Sequence, residues 1–159
     1  MSYSIRRRQL SLAAAAWCGG CALIARHADA HAAESDAART YRTLRAVRGH
    51  FDGGRWSDDV DRWQGRKHVA MQTLADQMLR ANAPAGQLRK SMGEPDAALE
   101  PGQPAHARAL EQAQWLNAAP APVNTTTLWL YRWRGQHDQL VFALTHGRVV
   151  AAGWLHELE

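Results

Sequence analysis

The stretch LWLYRWRGQHDQLVFALTHGRVVAAGWL, residues 128–155, constrains the fold more than any other part of the chain. Large apolar side chains recur at every second position, which is the period of a half-buried strand. Two polar interruptions, Gly135-Gln136-His137-Asp138 and His146-Gly147, divide it into three strands, expected at Thr126–Arg134, Gln139–Thr145 and Arg148–His156. Glycine supplies the positive φ that two-residue hairpin turns require, so Thr145 is expected opposite Arg148. A first loop of two or four residues pairs Trp133 with Leu140, Tyr131 with Phe142 and Trp129 with Leu144. One face then carries Trp129, Tyr131, Trp133, Leu140, Phe142, Leu144, Val149, Ala151 and Leu155. The other carries Leu128, Leu130, Arg132, Val141, Ala143, Arg148, Val150, Ala152 and Trp154. A loop of odd length would exchange the faces of the first strand.

A face this apolar needs a cover, and the preceding sequence supplies one. In residues 67–82, Met71, Leu74, Ala75, Met78 and Leu79 form a single stripe at helical spacing. Pro84 opens a shorter helix through Leu88 and Met92, and Gly93 followed by Pro95 stops it. Ala37, Tyr41, Leu44 and Val47/Arg48 make residues 34–48 a third amphipathic helix, with Ser35 as its cap. The fold class expected is α+β, with two or three helices packed on one face of a three-stranded antiparallel meander. Residues 97–124, rich in Ala and Pro, are expected to be a long surface loop with one short helix near His106–Leu116.

The amino terminus has the pattern of an export signal. Arg6-Arg7-Arg8 precede an uncharged run from Leu10 to Ala25, and Ala28-Asp29-Ala30 and Ala30-His31-Ala32 are small-x-small cleavage sites. Three segments result: an export signal at 1–32, a helical and aspartate-rich segment at 33–66, and an α+β domain at 67–159. RRRQL before the apolar run resembles a twin-arginine signal, and ordinary Sec export stays open beside it. Gly19-Gly20-Cys21 resembles the end of a lipobox, which makes Cys21 a candidate lipidation site, although Cys18 stands where such a box usually has Leu. An uncleaved anchor is the third alternative. The formal charge of +4 is concentrated in the signal, and residues 33–159 carry a net of +1. A nucleic-acid partner is therefore not expected, because binders of that class keep their basic excess on the folded domain. A membrane would be reached only through a lipid anchor or an uncleaved signal.

No catalytic signature stands out. Ser57 and Ser91 lack a nucleophile elbow. The histidines that follow residue 32 never fall at H-x-H or H-x-x-x-H spacing, so a zinc site has no local support, and no cofactor is called for. Asp52, Asp58, Asp59 and Asp61 cluster in a loop, but their offsets do not fit a calcium hand. Trp56 and Trp63 are expected to pin this loop to the body.

LRKSMGEPD, then LWLYRW, then QLVFALTHGRVVAAGW resembles the pattern of small outer-membrane proteins of the SmpA/OmlA (BamE) type over roughly residues 70–155. Gly93-Glu94-Pro95-Asp96, Trp129-x-Tyr131, Phe142 and Gly147 stand at the matching places. The resemblance implies a helix-helix-three-strand domain in the Gram-negative envelope. Relatives of this type act as non-enzymatic accessories of β-barrel assembly or as protein inhibitors. The expectation is a non-enzymatic protein, in the periplasm or on the periplasmic face of the outer membrane, that binds another envelope protein. The docking surface it nominates is the second sheet face, through Leu128, Leu130, Arg132, Arg148, Val150 and Trp154, unless residues 34–63 fold over that face. The alternative is a small periplasmic enzyme or ligand binder that uses the Asp52–His68 loop, with Asp52, Asp58, Asp61 and His68 lining a pocket.

Overall fold

The computed structural model describes residues 36–116 and 126–156. The export signal, both cysteines, the cleavage sites, the Ser35 cap and the end of the Ala/Pro-rich stretch lie outside these residues. The order of elements is α1 (36–45), a 3-10 turn at His50–Asp52, α2 (Arg66–Arg80), α3 (Ala85–Met92), β1 (Ala97–Leu99), α4 (Pro104–Gln112), β2 (Gln114–Trp115), β3 (Thr127–Arg134), β4 (Asp138–Thr145) and β5 (Arg148–His156). The class is α+β. The three-stranded meander forms the centre of a five-stranded antiparallel sheet of order β1-β3-β4-β5-β2.

The first face is covered as its composition demands. Met71, Leu74, Ala75 and Met78 of α2, Leu88 and Met92 of α3 and Tyr41 of α1 pack with Trp129, Tyr131, Trp133, Leu140 and Phe142. Among the described residues the buried Tyr41 hydroxyl has no hydrogen-bond partner, whereas three other large aromatics have theirs, as burial of such groups favours. Tyr131 Oη donates to Gly93 O (3.1 Å), Trp133 Nε1 to Val60 O (2.8 Å), and Trp154 Nε1 to Gln72 Oε1 (2.9 Å). Gly93-Glu94-Pro95-Asp96 is tied to β3 by more than Tyr131. Asp96 N donates to Leu130 O (2.8 Å), and Arg132 N donates to Asp96 Oδ2 (2.8 Å).

Two bulges change the expected register. The first loop has three residues, Gly135 to His137, and Trp133 is an extra residue between the pairs Arg132–Gln139 and Arg134–Asp138. The odd loop and the bulge offset one another. Trp129 pairs with Phe142 and Tyr131 with Leu140, two positions away from the expected pairs, so the aromatics keep their face. Gly135 has φ 52°, and a Cβ there would lie 2.7 Å from Phe51 O, so the turn needs glycine on both counts. The second turn pairs Thr145 with Arg148 as expected, with His146 and Gly147 both at positive φ. Val150 is then the extra residue of the second bulge. From there the expected faces of β5 are wrong. Phe142 pairs with Ala152 and Leu140 with Trp154, which puts Ala152 and Trp154 in the first core, while Ala151 and Leu155 belong to the second.

The second face is covered too, by residues expected to be a surface loop. Ala109 and Ala113 from the α4 segment pack on Leu128, Leu130, Val141, Ala143, Ala151 and Leu155, with Leu99, Leu110 and Trp115 at the margin. Alanine on both partners permits the close approach. His106, buried, lies with Nε2 2.6 Å from Thr126 O and fixes the helix to the start of β3. The helix begins and ends earlier than expected and is flanked by two short edge strands. The sheet is therefore sandwiched between α1–α3 and α4, and residues 36–63 do not cover the second face.

Candidate functional site

The six residues nominated as a docking face are not brought together. Leu128 and Leu130 are buried beneath α4. Trp154 lies in the opposite core. Arg132 and Arg148 are exposed, the latter donating from Nε to Asn82 Oδ1 (3.0 Å). Val150 is exposed at the bulge. The physical reason is twofold: the bulge exchanges the faces of β5, and α4 occupies the side that was expected to be open. Cys21 lies outside the described residues.

The aspartate-rich loop is equally divided. Asp61 is fully buried and organises the loop from within. Its carboxylate accepts from His50 N (3.0 and 3.1 Å) and from Ser57 N (2.8 Å). Asp58 points outward to Trp56 Nε1 (2.8 Å) and Arg62 (3.3 Å). Asp52 faces a separate cavity. His68 is 5% exposed, held between the rings of Trp63 (4.2 Å), Trp133 (4.5 Å) and Trp154 (4.9 Å, 14° between planes). Neither of its ring nitrogens has a hydrogen-bond partner among the described residues. Burial, with Arg134 in support, lowers its pKa, so the folded protein favours the neutral ring. No group of three metal-ligating side chains occurs among the described residues. His156 Nδ1 meets Asp138, which also binds Arg134, but neither Ser57 nor Ser91 hydrogen-bonds to this pair. A base and an orienting carboxylate without a nucleophile do not make a triad.

What the loop does present is tryptophan. Trp56 and Trp63, expected to be pinned inward, are 55% and 54% exposed. Trp63 is anchored at its inner side on His68 and Trp133, the latter at 5.7 Å. Among the described residues, Trp56 is held by Asp58 and, at 6.3 Å, by the His50 ring. The backbone beneath them is fixed by Asp61 and by the bond from Trp133 to Val60 O. Arg55, Arg62 and Arg66 are exposed beside them. Arg62 and Arg66 form surface pairs with Asp58 and Asp59, which leaves Arg55 as the cation without an ion-pair partner among the described residues. Sequence reasoning missed this surface because a tryptophan in a loop reads as an anchor. The missing signal was Asp61, whose carboxylate already does the anchoring.

The second feature is a cavity of about 330 Å³ between the end of α1, the start of α2 and β3. Arg45, Arg48, Asp52, Lys67, Asp96 and Arg132 line it. Nothing in the sequence separates these residues from ordinary surface charges, because they come from five separate segments. No helix among the described residues is long and apolar enough to cross a membrane. No family model, curated protein or solved structure matches the chain.

Proposed function

We propose that the protein is a non-enzymatic binding module of the cell envelope that holds another protein against the loop of residues 53–66. The carrying observation is the pair of half-exposed indoles, Trp56 and Trp63, on a backbone that Asp61 holds rigid. Trp and Arg are the residue types that dominate binding energy at protein interfaces, and a preformed loop avoids the entropic cost of ordering on contact. Arg55 adds an unpaired cation at the edge of the patch, which fits a partner with an apolar surface flanked by a carboxylate. The export pattern of residues 1–32 supports an envelope location, and the SmpA/OmlA-like pattern of residues 70–155 supports an accessory rather than a catalytic role.

The test is crosslinking in intact envelopes followed by affinity purification, with wild type, Trp56→Ser and Arg55→Ser compared side by side. Both residues lie outside the core, so the melting temperature should stay within a few degrees of wild type. A specific partner captured by wild type should be lost or strongly reduced with Trp56→Ser and weakened with Arg55→Ser. Undiminished capture of the same partner by a folded Trp56→Ser variant overturns the reading.

A further inference from the structure

The cavity between α1, α2 and β3 holds a charge imbalance that the protein's own side chains do not resolve. Its wall contains four cations, Arg45, Arg48, Lys67 and Arg132, and two carboxylates, Asp52 and Asp96. Two of these groups neutralise one another. Arg45 Nη2 binds Asp96 Oδ1 (2.7 Å), Arg45 Nη1 donates to Met92 O (2.7 Å), and the other Asp96 oxygen accepts from Arg132 N. Three cations are left against Asp52 alone. The side chains of Arg48 and Arg132 have no hydrogen-bond or ion-pair partner among the described residues.

Lys67 is the most informative member. It is 3% exposed, yet its ammonium makes one bond, to Trp133 O at 2.8 Å, and no described carboxylate lies within 4 Å of it. An ammonium has three protons to donate, and burying one with no carboxylate in contact is costly, the carboxylates of Asp52 and Asp96 acting on it only from a distance. A ligand that brings negative charge into the cavity removes the cost.

We propose that this cavity binds a phosphate group, with Lys67, Arg48 and Arg132 as its donors. Three cations against one carboxylate leave an excess of two positive charges, which suits a tetrahedral oxyanion with about two negative charges better than a singly charged carboxylate. Guanidinium forks bind its oxygens in pairs, and an ammonium binds as a point charge. Asp52, whose carboxylate has no partner among the described residues, selects further. It accepts a hydrogen bond from the proton that inorganic phosphate keeps near neutral pH and sulfate lacks; a phosphate monoester, with a second pKa of about 6, keeps only a fraction of that proton. The phosphate can arrive free, on a soluble ester or on a lipid headgroup, because the wall reads only the oxyanion.

The experiment uses the purified exported protein and follows amide and side-chain chemical shifts, with inorganic phosphate, sulfate and acetate titrated separately. Phosphate should move the resonances of residues 45–52, 67 and 132 in a saturable way, and sulfate and acetate should be clearly weaker. Arg48→Ser, at an exposed position, should stay folded and lose roughly tenfold or more in phosphate affinity. Lys67→Met, which leaves Trp133 O without its donor, should bind phosphate no better than Arg48→Ser. Asp52→Asn should narrow the gap between phosphate and sulfate. Sedimentation with vesicles of phosphatidate against vesicles of phosphatidylcholine separates a lipid source from a soluble one. Absence of saturable phosphate shifts, or equal affinity in wild type and Arg48→Ser, overturns the proposal. The docking reading is unaffected either way, because Trp56→Ser leaves the cavity wall intact.

Discussion

His68 and Asp61 occupy buried positions with opposite hydrogen-bond accounting, and substitution separates them. The Asp61 carboxylate satisfies the backbone N–H groups of His50 and Ser57. Asp61→Ala leaves both donors orphaned and should cost about 3 kcal/mol, since bonds to charged groups contribute about 1.5–3 kcal/mol each. Denaturant titration measures the loss, and a change below about 1 kcal/mol would mean the loop does not depend on this residue. His68 satisfies nothing, so His68→Phe, which keeps the ring between three tryptophans, should be neutral or stabilising at pH 7.5. The pH dependence follows from the lowered imidazole pKa, caused first by burial and then by Arg134. Well above the ordinary value of about 6.5 the ring is neutral in both states. As pH falls below it, the unfolded chain is protonated and the folded protein is not. The stability is therefore present above the unfolded value and is lost as pH falls toward the depressed folded value. Melting temperatures between pH 7.5 and 5 should fall faster in wild type than in His68→Phe, and parallel slopes would contradict a neutral buried ring.

At the scale of elements, the edge strand β2 depends on a position where no side chain fits. Gly153 pairs with Trp115, and a Cβ on it would lie 2.7 Å from Gln114 O. Gly153→Ala should push β2 away from β5 while the meander persists. Hydrogen exchange should then show lost protection at Leu116 N, which donates to Ala152 O (2.8 Å), and retained protection within β3 and β4. Unchanged exchange at Leu116 would mean the edge pairing accommodates the methyl group. The same elements mark the limit of what the sequence made legible. The helices of residues 67–92 and all three central strands followed from periodicity, because each buries a continuous stripe or face. The bulges at Trp133 and Val150 did not, since an extra residue leaves the alternation of residue types locally unchanged while exchanging everything beyond it. The helix near His106–Leu116 was legible, with bounds shifted, but its packing on the sheet was not: small side chains carry little hydropathy signal, yet they permit the close packing that covers Leu128 and Leu130, and β1 and β2, of three and two residues, are too short to show a period. The candidate sites were least legible. The cavity gathers Arg45, Lys67, Asp96 and Arg132 from segments far apart in the chain. The exposed tryptophans became interpretable only once Asp61 was located.

At the scale of the whole molecule, two cores share one sheet. Trp129, Tyr131 and Phe142 face α1–α3, and Leu128, Leu130 and Ala143 face α4, so every central strand contributes alternate side chains to both layers. Interleaving of this kind couples the layers, because neither core can dissolve without removing support from the strands that form the other. Leu130→Ala, in the α4 layer, should cost about 2–4 kcal/mol, the range for truncating a buried leucine. If the molecule unfolds as one unit, that loss should be felt equally by amides that exchange only through global unfolding, including those of Met71, Leu74 and Met78 on the far side of the sheet. If the α4 layer opens by itself, the α4 amides should lose protection while the α2 amides keep theirs. The shared sheet and the bond from His106 to the start of β3 favour the first outcome. Native-state hydrogen exchange of wild type and Leu130→Ala measures both layers at once. A fall in protection confined to residues 104–116 would establish α4 as a separately opening cover.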